Sequence, residues 1–155
     1  MEFHVRSARL TDIDSAIRLL PRGVDDAGDQ RDDADRLRSL LFLPATTVVV
    51  AEAERRVIGL GVLSIRPAVR SGSFIGVIDA LGISGEAALE SDGDAADAVS
   101  RDAVGRSILE HLLASARNKG CARVEVTDPL AAAEPELLES AGFAPRGVLL
   151  SRAVG

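Results

Sequence analysis

Few side chains in this sequence could transfer a proton or attack a substrate. The chain has two histidines, one cysteine and no tyrosine. His111 follows Glu110 on the polar flank of a helical pattern, and His4 alternates along a predicted strand without a recognisable partner. Cys121 has no neighbouring histidine to activate it and is typical of a small core residue. Among the carboxylates, Asp79 lies in a predicted apolar strand.

Composition narrows the class of protein. The chain has 155 residues, of which 46% are hydrophobic and 27% charged, and this fits a single globular domain over residues 1–155. One cysteine excludes an internal disulfide, and with two histidines it cannot assemble a zinc site of Cys and His. A net charge of −6 without Trp or Tyr argues against nucleic acid as a partner but allows a cationic small molecule or basic peptide.

The N-terminal sequence and the hydropathy predict a cytoplasmic protein with no membrane partner. MEFHVRSARLTDID is charged from the start and lacks the apolar core of a signal peptide. No stretch approaches the roughly 20 apolar residues of a membrane span. The sequence leaves open whether the chain is a monomer or a homodimer.

The first half of the chain predicts a strand, two helices and a three-strand meander. FHVRSA alternates as a strand, and Thr11 is expected to cap a helix that ends at Pro21. The polar stretch 22–36 then leads to a short helix around Leu37 to Leu41. Stretches rich in Val and Ile, separated by turn signals, predict antiparallel strands at 46–53, 56–65 and 73–83.

The second half is dominated by one long helix. Apolar residues from Arg101 to Lys119 line a single helical face, and Gly120 stands where a C-terminal cap belongs. The preceding stretch 84–99 has five acidic residues and no basic one, so we expect a solvated loop. An alternative starts this helix near Asp94 and runs it through Gly105. CARVEVTD then predicts a strand, 135–141 a short helix, and VLLSRAV a final strand.

This order of elements resembles the GNAT N-acetyltransferase family over essentially the whole chain. Three local matches carry the resemblance: Val5-Arg6-Ser7-Ala8 followed by Asp12, the stretch GRSILEHLLASARNKGCARVEV, and ESAGFAPRG from Glu139 to Gly147. It implies an α/β (α+β) fold with a twisted, mostly antiparallel sheet of about six to seven strands and about four helices. It also implies acetyl transfer from acetyl-CoA, or another acyl-CoA, to a primary amine of a small molecule or peptide by direct attack, without metal.

The resemblance also implies where the acyl-CoA binds. Its pantetheine arm would pair with a strand that ends at Leu81, Gly82 and Ile83. Its pyrophosphate would bind at a turn and helix start, where free N–H groups and the helix dipole attract anions. In this sequence the turn spans Ser100 to Ser107, with these candidate binding residues: Arg101, Ala103, Val104, Gly105, Arg106 and Ser107.

Four positions depart from the family's pattern. The Gln or Arg that opens the pyrophosphate turn is replaced by Ser100, and its first glycine by Ala103; Gly105 is retained at the second. The tyrosine that protonates the leaving thiolate is replaced by Leu138, and an upstream asparagine by Ala131. These changes keep a second interpretation open, in which a catalytically degenerate GNAT domain acts as a CoA-binding, regulatory or assembly module.

Asp79 is the candidate general base implied by the resemblance. Some family members place a carboxylate on this strand, often two residues earlier, at the position of Val77. A period of two would put Val77, Asp79, Leu81 and Ile83 on one face. Asp79 could accept the proton of the amine directly or through water. An equally weighted alternative is a structural aspartate that pairs with an arginine or caps a loop.

Overall fold

A computed structural model describes residues 2–21, 30–69, 73–85 and 100–155 of the chain. The strands in these ranges are β1 His4–Ser7, β2 Thr46–Ala53, β3 Arg56–Pro67, β4 Phe74–Ile83 and β5 Cys121–Val126. The helices are α1 Ile13–Ile17, α2 Gln30–Leu40, α3 Arg101–Asn118, α4 Leu130–Ala133 and α5 Pro135–Ser140, and a 3-10 turn at Leu10–Asp12 precedes α1. No helix among these described residues is long and apolar enough to cross a membrane.

The strands form one mixed sheet in the order β1-β2-β3-β4-β5. The first four pair antiparallel, and β5 pairs parallel to β4. Glu54 and Arg55 join β2 to β3, both with positive φ, which matches the right-handed twist of a tight hairpin. The predicted meander and the mixed fold are confirmed, but the described part of the sheet has five strands rather than six or seven.

Helices cover both faces of the sheet. α3 lies on one face, which we call the α3 face, and buries Ile108 and Leu112 completely. α1 and α2 lie on the other, the α1–α2 face, where Ile13 is fully buried. Successive residues of a strand point to opposite faces, so Val49 packs toward α3 while Val50 packs toward α1 and α2. The continuous apolar run of β2 therefore serves two cores.

An ion-pair network anchors the start of the chain. Arg6 on β1 donates two hydrogen bonds to Asp12, at 2.7 and 3.0 Å, and a third from Nε to Glu52 on β2 at 2.7 Å. The Asp12 carboxylate also accepts the backbone N–H of Arg9 at 2.7 Å. The cap predicted at Thr11 is therefore wrong. The carboxylate that accepts a backbone N–H of this turn belongs to Asp12, which is buried against Arg6.

Three further predicted boundaries fail. α1 ends at Ile17 rather than at Pro21. α2 begins at Gln30, well before the apolar residues that predicted it, and its first turn carries Asp32 and Asp33. The final strand predicted at VLLSRAV is wrong, since residues 144–155 form no strand and are exposed throughout. A strand needs a partner for its N–H and C=O groups, and this segment pairs with none of the described strands. Most of the acidic stretch 84–99 and part of 22–36 lie outside the described residues.

Candidate functional site

The parallel strands β4 and β5 separate halfway along β4. Their pairing runs from Phe74 opposite Cys121 to Ile78 opposite Val126. β5 ends at Val126, whereas β4 continues to Ile83 with β3 on its other side. No strand of the described chain pairs with Asp79–Ile83 on the side where β5 has left. We call the space beside the continuing edge of β4 the V-shaped opening, and the last pair, Ile78 and Val126, its apex.

Main-chain groups of Leu81 and Ile83 face this opening. In an antiparallel pair, residues alternate between those that bond to the neighbouring strand and those that point away from it. Ser84 donates its N–H to Ile58 on β3 at 2.9 Å, which places Ser84 and Gly82 in the bonded set. The N–H and C=O groups of Leu81 and Ile83 therefore point toward the opening, where an amide-bearing chain could pair with them.

Asp79 sits on a β-bulge. Ile78 lies opposite Leu63 and Ala80 opposite Val62, so Asp79 is an extra residue in β4. A bulge shifts the alternation by one residue. The expectation that Asp79, Leu81 and Ile83 share a face is therefore wrong: Leu81 and Ile83 pack in the α3-face core, while Asp79 turns toward the α1–α2 face.

The Asp79 carboxylate is exposed in a cleft of about 400 Å³ between the sheet and the two N-terminal helices. Ser64 on β3 donates a hydrogen bond to it at 2.5 Å. Arg18 of the α1 region and the ion-paired Asp33 and Arg36 of α2 also line the cleft. Since Asp79 directly follows the last β4–β5 pair, its carboxylate lies where the cleft meets the apex of the V-shaped opening.

The start of α3 stands at the wide end of the same opening. A Cβ on Gly105 would lie 2.8 Å from Ile83 Cδ1, which brings the first turns of α3 beside the end of β4. Ser100 is the N-cap: its hydroxyl accepts the N–H of Ala103 at 3.4 Å, and its C=O accepts that of Val104 at 3.1 Å. The positive end of the α3 dipole therefore lies beside the end of β4.

Charges at this helix start largely offset one another. Arg101 makes a bidentate ion pair with Glu134, which lies between α4 and α5, with Nη1 3.2 Å from Oε2 and Nη2 bonded to Oε1. Asp102 adds a carboxylate in the first turn, and Arg106 is exposed one turn further along. The α3 dipole still favours an anion here, but the nearest cationic side chain, Arg101, is already paired with Glu134.

Gly105 has a packing role that the sequence did not predict. It is buried in the second turn of α3, and an added Cβ would lie 2.6 Å from Leu137 Cδ2 as well as close to Ile83. The helix interior already uses its amide, so the expected approach of phosphate to Gly105 and to buried Val104 is not favoured. Ser100 has extended backbone angles, so α3 begins at Arg101 and a continuous helix from near Asp94 is excluded. Gly105 is nevertheless an interior helical residue, as that alternative expected.

The remaining candidates take structural positions. Leu138 is 5% exposed and belongs to the α3-face core, so this position offers no acid. Gly82 packs beneath the chain that follows α1, since a Cβ there would lie 2.6 Å from the carbonyl oxygen of Leu19. Burial raises the pKa of the Cys121 thiol, which disfavours a thiolate nucleophile. The C=O of half-buried Ser107 lies 3.3 Å from His111 Nδ1.

Sequence reasoning missed two residues of this site. Ser64 holds the Asp79 carboxylate, and its signal was a lone hydroxyl in the apolar stretch 57–65. Glu134 pairs with Arg101, and nothing local to its sequence indicates a partner 33 residues away. Among the residues described here, no group of three or more His, Cys, Asp or Glu side chains could hold a metal ion.

Comparison with known proteins defines the fold. The sequence matches no family model and no curated protein. The structure is similar to a transcriptional regulator from Bacillus halodurans C-125 (16% identity, TM-score 0.73), with 99% of this chain and 100% of the other covered. It is also similar to glucosamine-6-phosphate N-acetyltransferase from Arabidopsis thaliana (16%, TM-score 0.70, 100% of both chains) and to aminoglycoside N-acetyltransferase AAC(6')-Iy in complex with CoA (16%, TM-score 0.73, 98% and 95%).

These neighbours confirm the predicted resemblance at the level of the fold. The chain has the GNAT N-acetyltransferase fold, with its mixed sheet, its meander and its long helix beside the separated strands. Sequence identities of 16% leave the activity of this chain to be argued from its own residues.

Proposed function

We propose that the protein is an acyl-CoA-dependent N-acyltransferase that transfers an acetyl group from acetyl-CoA to a primary amine of a small molecule or peptide. The observation that carries the proposal is the V-shaped opening between β4 and β5, with Asp79 at its apex. The opening offers a strand edge to the donor, and the cleft on the α1–α2 face offers space to the acceptor. The opening and the cleft meet at the Asp79 carboxylate.

The donor would lie along the edge of β4. Pantetheine contains two amide groups, which can extend a sheet through main-chain hydrogen bonds in the manner of an added strand. Leu81 and Ile83 direct their N–H and C=O groups into the opening and would make those bonds. The thioester would then reach the apex beside Asp79, while the pyrophosphate would lie near the α3 start.

The acceptor would occupy the 400 Å³ cleft beside Asp79. An amine is protonated near neutral pH, so it must lose a proton before it attacks. Asp79 would accept that proton, directly or through water, and the neutral amine nitrogen would then bond to the thioester carbonyl carbon. The tetrahedral intermediate then collapses, the C–S bond breaks and the thiolate leaves, while the second proton of the nitrogen passes to the thiolate or to solvent. Ser64 keeps the carboxylate fixed for the transfer.

The oxyanion of that intermediate would need a hydrogen-bond donor at the apex, and the main chain at the Asp79 bulge is the nearest candidate. An N–H aimed at a developing oxyanion is worth several kcal/mol in other acyl-transfer sites, roughly 3–4 by mutagenesis. A CoA thiolate is a good leaving group, so loss of a tyrosine at Leu138 is compatible with slower turnover.

The pyrophosphate contact is the weakest part of the donor site. A phosphate at the α3 start would meet the positive end of the helix dipole, but also the Asp102 carboxylate and an arginine held by Glu134. We therefore expect acetyl-CoA to bind mainly through its pantetheine arm. Two of the structural neighbours, the aminoglycoside and glucosamine-6-phosphate N-acetyltransferases, are named for acceptors that carry nitrogen, which supports an amine acceptor here.

Calorimetric titration with acetyl-CoA and with CoA tests the proposal. A micromolar dissociation constant for acetyl-CoA, together with a ligand-dependent rise in Tm, would support the donor site. Release of free thiol in the presence of a panel of amines, measured with a thiol reagent, would then establish transfer. Absence of heat and of a thermal shift at millimolar acetyl-CoA would contradict it.

A second function is favoured by a specific observation. Leu138 is buried and offers no acid for the leaving thiolate, and the ion pair with Glu134 holds Arg101 away from a phosphate. Both features are expected of a degenerate GNAT domain that serves as a regulatory or assembly module. Acetyl-CoA binding without acyl transfer to any amine, and without slow hydrolysis, would favour this function over the first.

A further inference from the structure

The cleft beside Asp79 carries charge that proton transfer alone does not need. Four charged side chains of the described chain line it, namely Arg18, Asp33, Arg36 and Asp79. Asp33 and Arg36 offset each other, because they form an ion pair at 2.9 Å on α2. Asp79 accepts a hydrogen bond from the hydroxyl of Ser64, which is neutral and leaves the negative charge in place. The charges available to a ligand are therefore those of Asp79 and Arg18.

Arg18 makes no ion pair with any residue that the structure describes. It directly follows α1 and is exposed in the cleft. Two arginines of the neighbouring α2, Arg36 and Arg38, instead pair with Asp33 and Asp35. A guanidinium presents its N–H groups as a planar fork, which binds a carboxylate through two parallel hydrogen bonds. Arg18 is thus suited to hold an anionic group of a ligand.

The end of α1 lies close enough to β4 for one small ligand to reach both charges. Leu19, the residue after Arg18, packs on Gly82, where an added Cβ would lie 2.6 Å from the Leu19 carbonyl oxygen. Gly82 is three residues beyond Asp79, which corresponds to roughly 10 Å along a strand. The cleft volume of about 400 Å³ falls within the usual range for small-ligand sites. A molecule of about the size of an amino acid can therefore span from Asp79 to Arg18.

Most of the remaining lining is apolar. Leu20 follows α1, Leu37 and Leu40 lie on α2, and Val62 and Ala80 belong to the sheet. Burial of an apolar group against these side chains is favourable, whereas a ligand that is charged along its whole length would lose hydration there. The lining therefore favours a ligand that combines two opposite charges with an apolar part.

We propose that the acceptor is an apolar amino acid, a small zwitterion whose ammonium lies at Asp79 and whose carboxylate binds Arg18. The inference rests on the proposed acyltransferase function and names the acceptor of that same site. Transfer breaks the C–S bond of the thioester and forms a C–N bond, which gives an N-acetyl amino acid and free CoA. Of the two protons that the ammonium loses, one passes to Asp79 and the other to the thiolate or to solvent. A polyamine fits less well, because its second ammonium would meet the positive charge of Arg18.

Amino acids and their own carboxamides test the inference, because the two members of each pair differ in the carboxylate that Arg18 binds. Leucine holds its two charges close together and 6-aminohexanoate holds them further apart, so the two pairs sample different spacings. In the wild type, kcat/KM from thiol release should be about tenfold higher for the acid of at least one pair. A nearby carboxylate raises the pKa of an amine and leaves less of it neutral, so a preference for the acid reports recognition rather than reactivity.

Variants of two arginines assign that preference to Arg18. Arg18→Gln should reduce it to within about twofold, through a higher KM for the acid, while kcat/KM for the carboxamide stays nearly unchanged. Arg18→Lys keeps the charge and should retain part of the preference. The matched control is Arg38→Gln, which removes the same charge from a paired arginine of α2 outside the cleft and should retain the full preference. Circular dichroism verifies that each variant is folded.

Failure of this inference and failure of the proposed function give different results. Acyl transfer that shows no preference for the acid in either pair, or a preference that survives in Arg18→Gln, would overturn the inference and leave the acyltransferase function standing. Spermidine as a better acceptor than both amino acids would do the same. Calorimetric titration of the two acids in the presence of CoA supplies a readout that does not need turnover. Binding of an acid that Arg18→Gln weakens by at least about tenfold, without thiol release, would contradict the acyltransferase function and keep the amino acid site. Absence of both binding and transfer for the two acids would overturn the amino acid site.

Discussion

Ser64 on β3 donates a 2.5 Å hydrogen bond to the carboxylate of Asp79 on β4, at the β-bulge of the β3–β4 pair. This bond holds the carboxylate at the point where β5 stops pairing with β4. Asp79 is the first β4 residue beyond the β4–β5 pairing and the extra residue of the β3–β4 pairing. The same irregularity that turns it away from the α3 face brings it into the cleft.

Replacing Asp79 by asparagine should lower kcat by about 10²–10⁴-fold while acetyl-CoA affinity stays nearly unchanged, because Asn keeps the shape and cannot accept the proton. Steady-state kinetics with a responsive amine, together with calorimetric titration of acetyl-CoA, measures both quantities. Asn can still accept the hydrogen bond of Ser64, so the fold should be retained.

Ser64→Ala is the matched control for this prediction. It removes the hydroxyl that positions the carboxylate but leaves the base in place, so kcat should fall less than in Asp79→Asn. Full activity in a folded Asp79→Asn protein would exclude the carboxylate as the base and would favour the structural interpretation of Asp79.

Gly105 should respond to substitution through stability rather than through ligand binding. A valine there would force its branches against Leu137 and Ile83, because side-chain atoms of both residues would lie within 3 Å of its Cβ. Overpacking of this kind costs about 1–3 kcal/mol. Urea denaturation should show that loss in Gly105→Val.

Ala103→Val is the control in the same helix. It changes an exposed residue and should alter the free energy of unfolding by less than about 1 kcal/mol. Equal stability of both variants would disprove the packing role.

Asp12 should make the fold sensitive to acid. The hydrogen bonds from Arg6, and then the N–H of Arg9, hold the pKa of this carboxyl below its ordinary value. A depressed pKa in the folded state means that the stabilisation is fully present above the unfolded pKa and is lost as pH falls through the folded one. Asp12→Asn should cost on the order of 3 kcal/mol at pH 7 and flatten the decline in stability below about pH 4. Denaturation curves measured from pH 7 downward test both effects.

Cys121 should be dispensable for the chemistry. Burial raises the pKa of its thiol, an effect that Lys119 only partly opposes. Cys121→Ala should therefore keep acyl transfer within about a factor of two. Alkylation of the wild-type thiol should still accelerate with pH above about 8.5, the value for an exposed cysteine. Rapid alkylation at neutral pH would contradict this picture.

Much of the fold follows from simple periodicity. Ile13, Ala16 and Ile17 have the spacing of one helical face and are buried together, and α3 ends just before the predicted glycine cap at Gly120. The three Val- and Ile-rich strands appear within two residues of their predicted bounds. Each of these features depends on a pattern within one segment, which is the information that a single sequence carries.

The candidate site depends on contacts between segments that are distant in sequence, and the sequence predicted only part of it. Asp79 was identified, but its face was wrong, because a bulge is set by register with β3 and leaves no mark on the alternation of β4 itself. Gly105 fitted the spacing of a phosphate turn, yet the cap at Ser100 starts the helix early enough to bury it. Residues 148–154 have a strand's composition but pair with none of the described strands, because composition does not supply a partner.

The ion pair between Arg101 and Glu134 should limit how strongly the α3 start binds pyrophosphate. Glu134→Gln would keep the side-chain shape and remove the charge that holds the arginine. Arg101 and the helix dipole could then act on the phosphate together. We expect CoA to bind about two- to fivefold more tightly, the equivalent of roughly 0.3–1 kcal/mol for a charge at a helix end.

Two comparisons assign this gain to the phosphate. S-acetylpantetheine has no pyrophosphate, so its affinity should be the same in the wild type and in Glu134→Gln, whereas CoA affinity rises. Glu136→Gln removes an exposed charge two residues away, in the first turn of α5, and should leave both affinities nearly unchanged because the Arg101–Glu134 pair stays intact. Raised salt should shrink the CoA gain, since it screens charges at the surface. If Glu134→Gln weakens CoA instead, the ion pair holds Arg101 in its binding position, and Glu134 is then a positioning residue of the donor site rather than its competitor.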